Sequence, residues 1–96
     1  MDVTILTPDK KLYVGTAERL SAPGTDGEFE ILNDHAPMVS SLGVGQVVIT
    51  ISARETTNVE ISGGFIEVLD NKVSLLVQQG TTPLQNDGYE DDEEEE

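Results

Sequence analysis

"GQVVITISARETTNVEISGGFIEVLDNKVSLLV", residues 45–77, alternates apolar and polar side chains in short runs separated by turn formers. Val47, Ile49 and Ile51 fall on one side of an extended chain, and Val48, Thr50 and Ser52 on the other. Val59 and Ile61 alternate with Asn58, Glu60 and Ser62, and Val73, Leu75 and Val77 with Ser74, Leu76 and Gln78. Successive side chains of a strand point to opposite faces, so each run has one face to bury. Asp70-Asn71, between "GFIEVL" and "KVSLLV", predicts a tight hairpin, because Asx residues tolerate the left-handed conformations such turns demand. Arg54-Glu55-Thr56 predicts a second hairpin, and Gly63-Gly64 a bulge or bend.

The same grammar extends upstream. Phe29 and Ile31 alternate with Glu28 and Glu30, and Pro8, Gly15, Pro23-Gly24, Gly27, Pro37, Gly43 and Gly45 divide the chain into short pieces. Short alternating runs at that spacing predict an all-β sandwich or barrel. No stretch sustains a 3.6-residue apolar period, so little helix is expected. Ninety-six residues make one domain at most. Its expected extent is residues 1–80. Residues 81–96, with a proline, turn formers and a self-repelling carboxylate run, read as a disordered acidic tail.

Charge narrows the function. Nineteen acids face five bases, for a formal net charge of −14, and eight of those acids lie from Asp87 onward. Neutralising phosphates takes clusters of Lys and Arg, so a nucleic-acid partner is excluded. The absence of cysteine rules out disulfides and thiolate metal sites and fits a cytosolic protein. Met1-Asp2 begins no signal peptide, and no apolar run approaches the roughly 20 residues of a membrane span. Membrane association is therefore expected only through a partner.

Catalytic chemistry finds little material. Nucleophilic catalysis needs a Ser or Cys beside a His with an orienting acid. His35 is the only histidine, and the nearby Ser40 and Ser41 sit on no glycine-flanked elbow. One histidine makes a metal site only if carboxylates converge on it from distant strands. Asp26, Glu28, Glu30 and Asp34 lie close in sequence and read as a solvated strand face. No phosphate-binding or dinucleotide fingerprint occurs, so no cofactor is expected. Lys72 follows a hairpin turn, as the modified lysine of carrier domains does, but Met1 and Met38 lie far from it. What remains is a small β module that works by contact. A free-standing ligand- or protein-binding sandwich is the alternative form, although two Phe and two Tyr are few for a sugar platform.

"VTILTPDKKLYVGTAERLSAPGTDGEFEIL" (residues 3–32), the triplet His35-Ala36-Pro37, then "ISGGFIEV" and "NKVSLLV" follow one another in an order and spacing that resembles the epsilon subunits of F-type ATP synthases. The resemblance implies a sandwich of two five-stranded sheets. It also implies a non-catalytic subunit of the central stalk, bound to the gamma subunit and standing on the ring of c subunits. Such a subunit rotates with them and couples proton flow to ATP synthesis, as a peripheral part of the complex on the cytoplasmic face of the inner membrane. Carried over position by position, Asp26, Gly27 and Glu28 match the contact with the c ring. His35, Ala36, Pro37 and Met38 match the region near gamma, with a locally satisfied structural histidine as the other reading of His35. An acidic side chain can make charge-assisted bonds to a basic loop, and proline stiffens the backbone around it.

The chain departs from that pattern in two places. Glu30 stands where a glycine is usual, and Asn33-Asp34 replace a Pro-Gly turn that Asx residues can still build. The helical hairpin that follows the sandwich in many members needs roughly 25–30 residues. A proline-containing acidic segment stands there instead, so neither a bound nucleotide nor the inhibitory role is carried over.

Overall fold

The alternation of residues 45–77 becomes four strands in the structure, a computed structural model that describes residues 1–78 and 80–81. Apart from Thr81, the expected tail lies outside the described residues. Among them are ten strands and no helix: β1 (Asp2–Leu6), β2 (Lys11–Thr16), β3 (Arg19–Gly24), β4 (Gly27–Leu32), β5 (Met38–Leu42), β6 (Gly45–Ser52), β7 (Glu55–Ile61), β8 (Gly64–Leu69), β9 (Lys72–Val77) and β10 (Gly80–Thr81).

They form two five-stranded layers. One runs β4-β3-β6-β7-β10 and the other β5-β8-β9-β1-β2. A single bridge, Gly24↔Leu42, joins β3 to β5 and closes one side of the sandwich like a barrel wall. All pairings are antiparallel except β1 with β9, whose register sets Val3 beside Val73 and Ile5 beside Leu75. The buried side chains are those of the inward phase: Val3, Ile5, Leu20, Ala22, Ile31, Val47, Ile49, Val59, Ile61, Ile66, Val68, Val73, Leu75 and Val77. Each aliphatic side chain so buried stabilises the fold by about 1.5–3 kcal/mol before entropy is counted.

Turn chemistry follows the residues. Asp70 (φ 53°) and Asn71 (φ 61°) are both left-handed, as a two-residue hairpin requires, and Leu69 pairs with Lys72 across them. Asp34 takes φ 62°, so the Asx substitute does occupy the position that suits glycine. The other expected hairpin is shorter than its sequence suggests. The turn is Ala53-Arg54, while Glu55 and Thr56 already belong to β7. A register shift between Thr50 and Ser52 leaves Ile51 only partly buried, which ends the alternation of β6 early.

Gly63-Gly64 does more than bend a strand. It breaks β7 from β8 and carries the chain from one layer to the other. Gly64 has φ 145°, and a Cβ there would strike the Leu76 carbonyl oxygen and lie 2.7 Å from Val77 Cα. Only glycine fits where β8 enters beside β9.

Candidate contact surfaces

The tip of the β3–β4 hairpin is the two-residue turn Thr25-Asp26, closed by the Gly24↔Gly27 pair. Thr25 is held twice: its amide donates to the Ser41 carbonyl (3.2 Å), and its Oγ1 meets Ser41 Oγ (2.9 Å). Asp26, Gly27 and Glu28 are all exposed. Glu28 stands opposite Pro23, whose carbonyl accepts the Gly43 amide (2.7 Å) and fixes the β5–β6 turn against the hairpin. Further along β4, Glu30 lies 3.7 Å from Arg19, but both are more than half exposed, so the pair contributes little. The carboxylates therefore stand in water on a pinned backbone, free to meet a cation.

His35, Ala36, Pro37 and Met38 lie beyond the other end of β4, six residues and roughly 20 Å away at strand spacing. The His35 amide donates to the Leu32 carbonyl (3.2 Å), and Nδ1 sits 2.7 Å from the Ala36 carbonyl oxygen. This contact engages one of the two ring nitrogens within the segment itself. The Asp34 amide donates to Asn71 Oδ1 (2.8 Å), and the Met1 ammonium to Asn33 Oδ1 (2.6 Å), so the segment is tied to the β8–β9 turn and to the first residue. Ala36 and Pro37 are exposed, whereas Met38 opens β5 and packs against the core. The two candidate segments do not share a site.

A third surface went unseen in the sequence. On the outer face of the second layer, Ser41, Phe65, Leu76 and Leu6 form one cross-strand row, and Val39, Glu67, Ser74, Thr4 and Val14 the next. Val39 is 71% exposed, Val14 62%, Phe65 61% and Leu76 55%. The outer face of the first layer is different in kind. There Gln46 donates to Glu60 (3.3 Å) and accepts from Asn58 (3.4 Å), beside Glu28 and Glu30. A signal did exist: in "KVSLLV" and "GFIEVL", Leu76, Phe65 and Leu69 are apolar on the outward phase. Alternation marks the buried face well, but it draws no notice to apolar residues on the other one.

Among the described residues no three His, Cys, Asp or Glu side chains gather as metal ligands would, and His35 Nδ1 faces a backbone carbonyl rather than a serine. The Tyr13 phenol is pushed above its ordinary range by burial and then by the nearby Glu55 carboxylate. A sandwich with one polar and one apolar outer face and an acidic hairpin on a pinned backbone has the surface of a protein-contact module.

Comparison with known proteins agrees. Residues 1–83 match the family "ATP synthase, Delta/Epsilon chain, beta-sandwich domain", and the chain belongs to that family. It is 42% identical over 80 residues to the ATP synthase epsilon chain of Leptospira borgpetersenii, covering 83% of this chain and 62% of that one, so it spans less than two thirds of that relative's length. A chain of the Euglena gracilis mitochondrial ATP synthase (OSCP/F1/c-ring) has the same fold, with TM-score 0.78, 21% identity, and coverage of 88% of this chain and 53% of that one. A chain of the Tetrahymena thermophila mitochondrial ATP synthase central stalk and c-ring does too, with TM-score 0.70, 21% identity, and coverage of 93% and 72%.

Proposed function

We propose that this chain is a central-stalk epsilon subunit of an F-type ATP synthase. It binds the gamma subunit, stands on the c ring and rotates with both, coupling proton flow across the membrane to ATP synthesis without doing chemistry itself. The observation that carries this reading is the exposed apolar surface of Val39, Phe65, Leu76 and Val14. Contiguous apolar surface on one face of a soluble domain marks a protein interface, since water contact there is costly and no folding need explains it. We assign that face to gamma, with His35, Ala36, Pro37 and Met38 at its margin, because Met38 leads directly into Val39.

Asp26, Gly27 and Glu28 are assigned to the c ring. A carboxylate presented on a backbone braced by Thr25 and Pro23 suits a basic loop, since little freedom is lost on binding. No helix among the described residues is long and apolar enough to cross a membrane, and attachment to the cytoplasmic face of the inner membrane runs through the ring. A bound nucleotide or metal forms no part of this role.

The test is co-purification from detergent-solubilised membranes through a tag on this chain. Gamma and c subunits are expected together in the eluate. The chain emerging without either would overturn the proposal.

A further inference from the structure

We propose that the Asp26-Gly27 peptide is a site of spontaneous isomerisation, so that the hairpin tip bearing Glu28 converts between an aspartyl and an isoaspartyl form. The reaction needs a carboxyl group without partners, a following amide nitrogen unshielded by a side chain, and a backbone segment that opens readily. The tip meets all three. Asp26 is exposed, with no hydrogen bond or ion pair among the described residues. Gly27 has φ 132°, and a Cβ built there would meet nothing within 4 Å, so the nitrogen is approached through open space. The Gly24↔Gly27 pair is the last of the β3–β4 ladder and is covered on its Gly24 side alone, so Asp26 and Gly27 lie past the Thr25 clamp, at the end of a ladder where opening costs least. The other Asp and Asn residues in the described part precede side chains, as in Asn33-Asp34, Asn58-Val59 and Asp70-Asn71.

The chemistry balances within the chain and water. The Gly27 amide nitrogen attacks Cγ of Asp26, a carboxyl oxygen leaves as water, and a cyclic imide forms. Water then adds at one of two carbonyls. Addition at Cγ restores aspartate. Addition at the main-chain carbonyl leaves the backbone running through Cβ and Cγ, with the free carboxylate on Cα. The isoaspartyl form is a substrate for enzymes that transfer a methyl group from S-adenosylmethionine to that carboxylate. Methanol then leaves as the imide re-forms, which returns part of the population to aspartate.

The fold dictates where the extra main-chain carbon goes. Thr25 is clamped to Ser41 through both its amide and its hydroxyl, and Gly24 is tied to the other layer by its bridge to Leu42. Displacement therefore falls on Gly27 and Glu28, and the Glu28 carboxylate moves away from its place opposite Pro23. Charge is conserved while position is not.

The test uses the full chain with Asp87→Glu, which removes the Asp87-Gly88 pair, and the same chain carrying Asp26→Glu as well. Both are aged, folded, at neutral pH and growth temperature. A protein-L-isoaspartate methyltransferase with labelled S-adenosylmethionine is the probe. Label is expected to accumulate with age in the first chain, to map to the peptide holding Asp26, and to be absent from the second. Backbone resonances of Gly27 and Glu28 should split with the same time course. An aged, folded Asp87→Glu chain that takes up no label, while the same chain in denaturant does, shows that the turn protects the bond and overturns the proposal. Equal label in the two chains overturns it as well.

Discussion

Leu75 and Leu76 are chemical twins with opposite fates. Leu75 is fully buried between Ile66 of β8 and Ile5 of β1, its partners in register, and Leu76 points outward beside Phe65. Leu75→Ala should destabilise the domain by about 2–5 kcal/mol, through lost burial and the cavity left behind, as read by denaturant unfolding. Leu76→Ser should shift stability by no more than about 0.5 kcal/mol. If the outer face receives gamma, however, it should sharply reduce gamma retention in pull-downs. A Leu76→Ser chain that holds gamma as wild type does would remove that face from the interface. Gly64→Ala is a third case, in which a single methyl meets the Leu76-Val77 backbone of β9 and the φ angle is one that L side chains rarely adopt. A loss of at least ~2 kcal/mol is expected in the same unfolding assay. At the hairpin tip, Glu28→Arg should leave stability within about 0.5 kcal/mol. It should weaken attachment to the c ring, which proton-pumping measurements on mutant membranes would detect as loss of coupling.

Elements show what pattern alone can and cannot deliver. The strands from Gly45 to Val77 were legible because period-2 alternation coincides with their buried faces, and the β8–β9 hairpin because Asp70 and Asn71 supply the two left-handed residues it requires. The change of layer at Gly63-Gly64 was not legible. A glycine pair reports freedom of the backbone, whereas the destination of the chain depends on which neighbour accepts the next strand. The parallel pairing of β1 with β9 was hidden for the same reason, since partners so distant in sequence leave no local trace. Of the candidate segments, the acidic tip and the His35 stretch enter through the family resemblance, since their residues alone read as a solvated strand face and a structural histidine, and the apolar outer rows emerge only when five strands are registered against one another. Tyr13 on β2 adds a pH signature. Its pKa is raised above the ordinary tyrosine value in the folded state, so folded protein holds the phenolic proton more tightly than unfolded chain does. Stability is then full below the ordinary tyrosine pKa of about 10 and declines as pH rises through the folded value. Tyr13→Phe should flatten that alkaline decline in denaturation curves, and an unchanged slope would show that other groups set it.

For the molecule as a whole, net charge and apolar surface are segregated. The five bases include Lys11, which ends the row of Phe65, Leu76 and Leu6, and Lys72, which stands between Leu69 and Asp2, and on that face Glu67 and Asp2 balance them. The other three bases, Lys10, Arg19 and Arg54, are outnumbered by the acids of the remaining chain, of which eight lie from Asp87 onward. Two copies meeting through their apolar faces would bring two strongly negative bodies together, which disfavours self-association. Removing residues 87–96 is expected to leave the sandwich and gamma binding unchanged and to lower solubility, measured as the concentration at which the chain precipitates. A rise in ATP hydrolysis by the assembled enzyme on truncation, larger at low salt where screening is weak, would instead mark those carboxylates as a restraint on the catalytic head.

The strand order also says when this protein can come into being. β1 is the second-innermost strand of its layer, lying between β2 and β9, and β9 begins 70 residues after β1 does. As the chain is synthesised, residues 2–16 offer a lone hairpin, which in water is marginal by itself. Its second neighbour does not exist until Val77 has been made and has left the ribosome. Formation of that layer therefore waits on nearly the whole domain, and long-range pairing of this kind is slow. The apolar outer rows on β8, β9 and β1 come into register in that same closing step. A partner that reads them can grip only finished molecules, and an assembly built on this face is thereby guarded against taking in half-made parts.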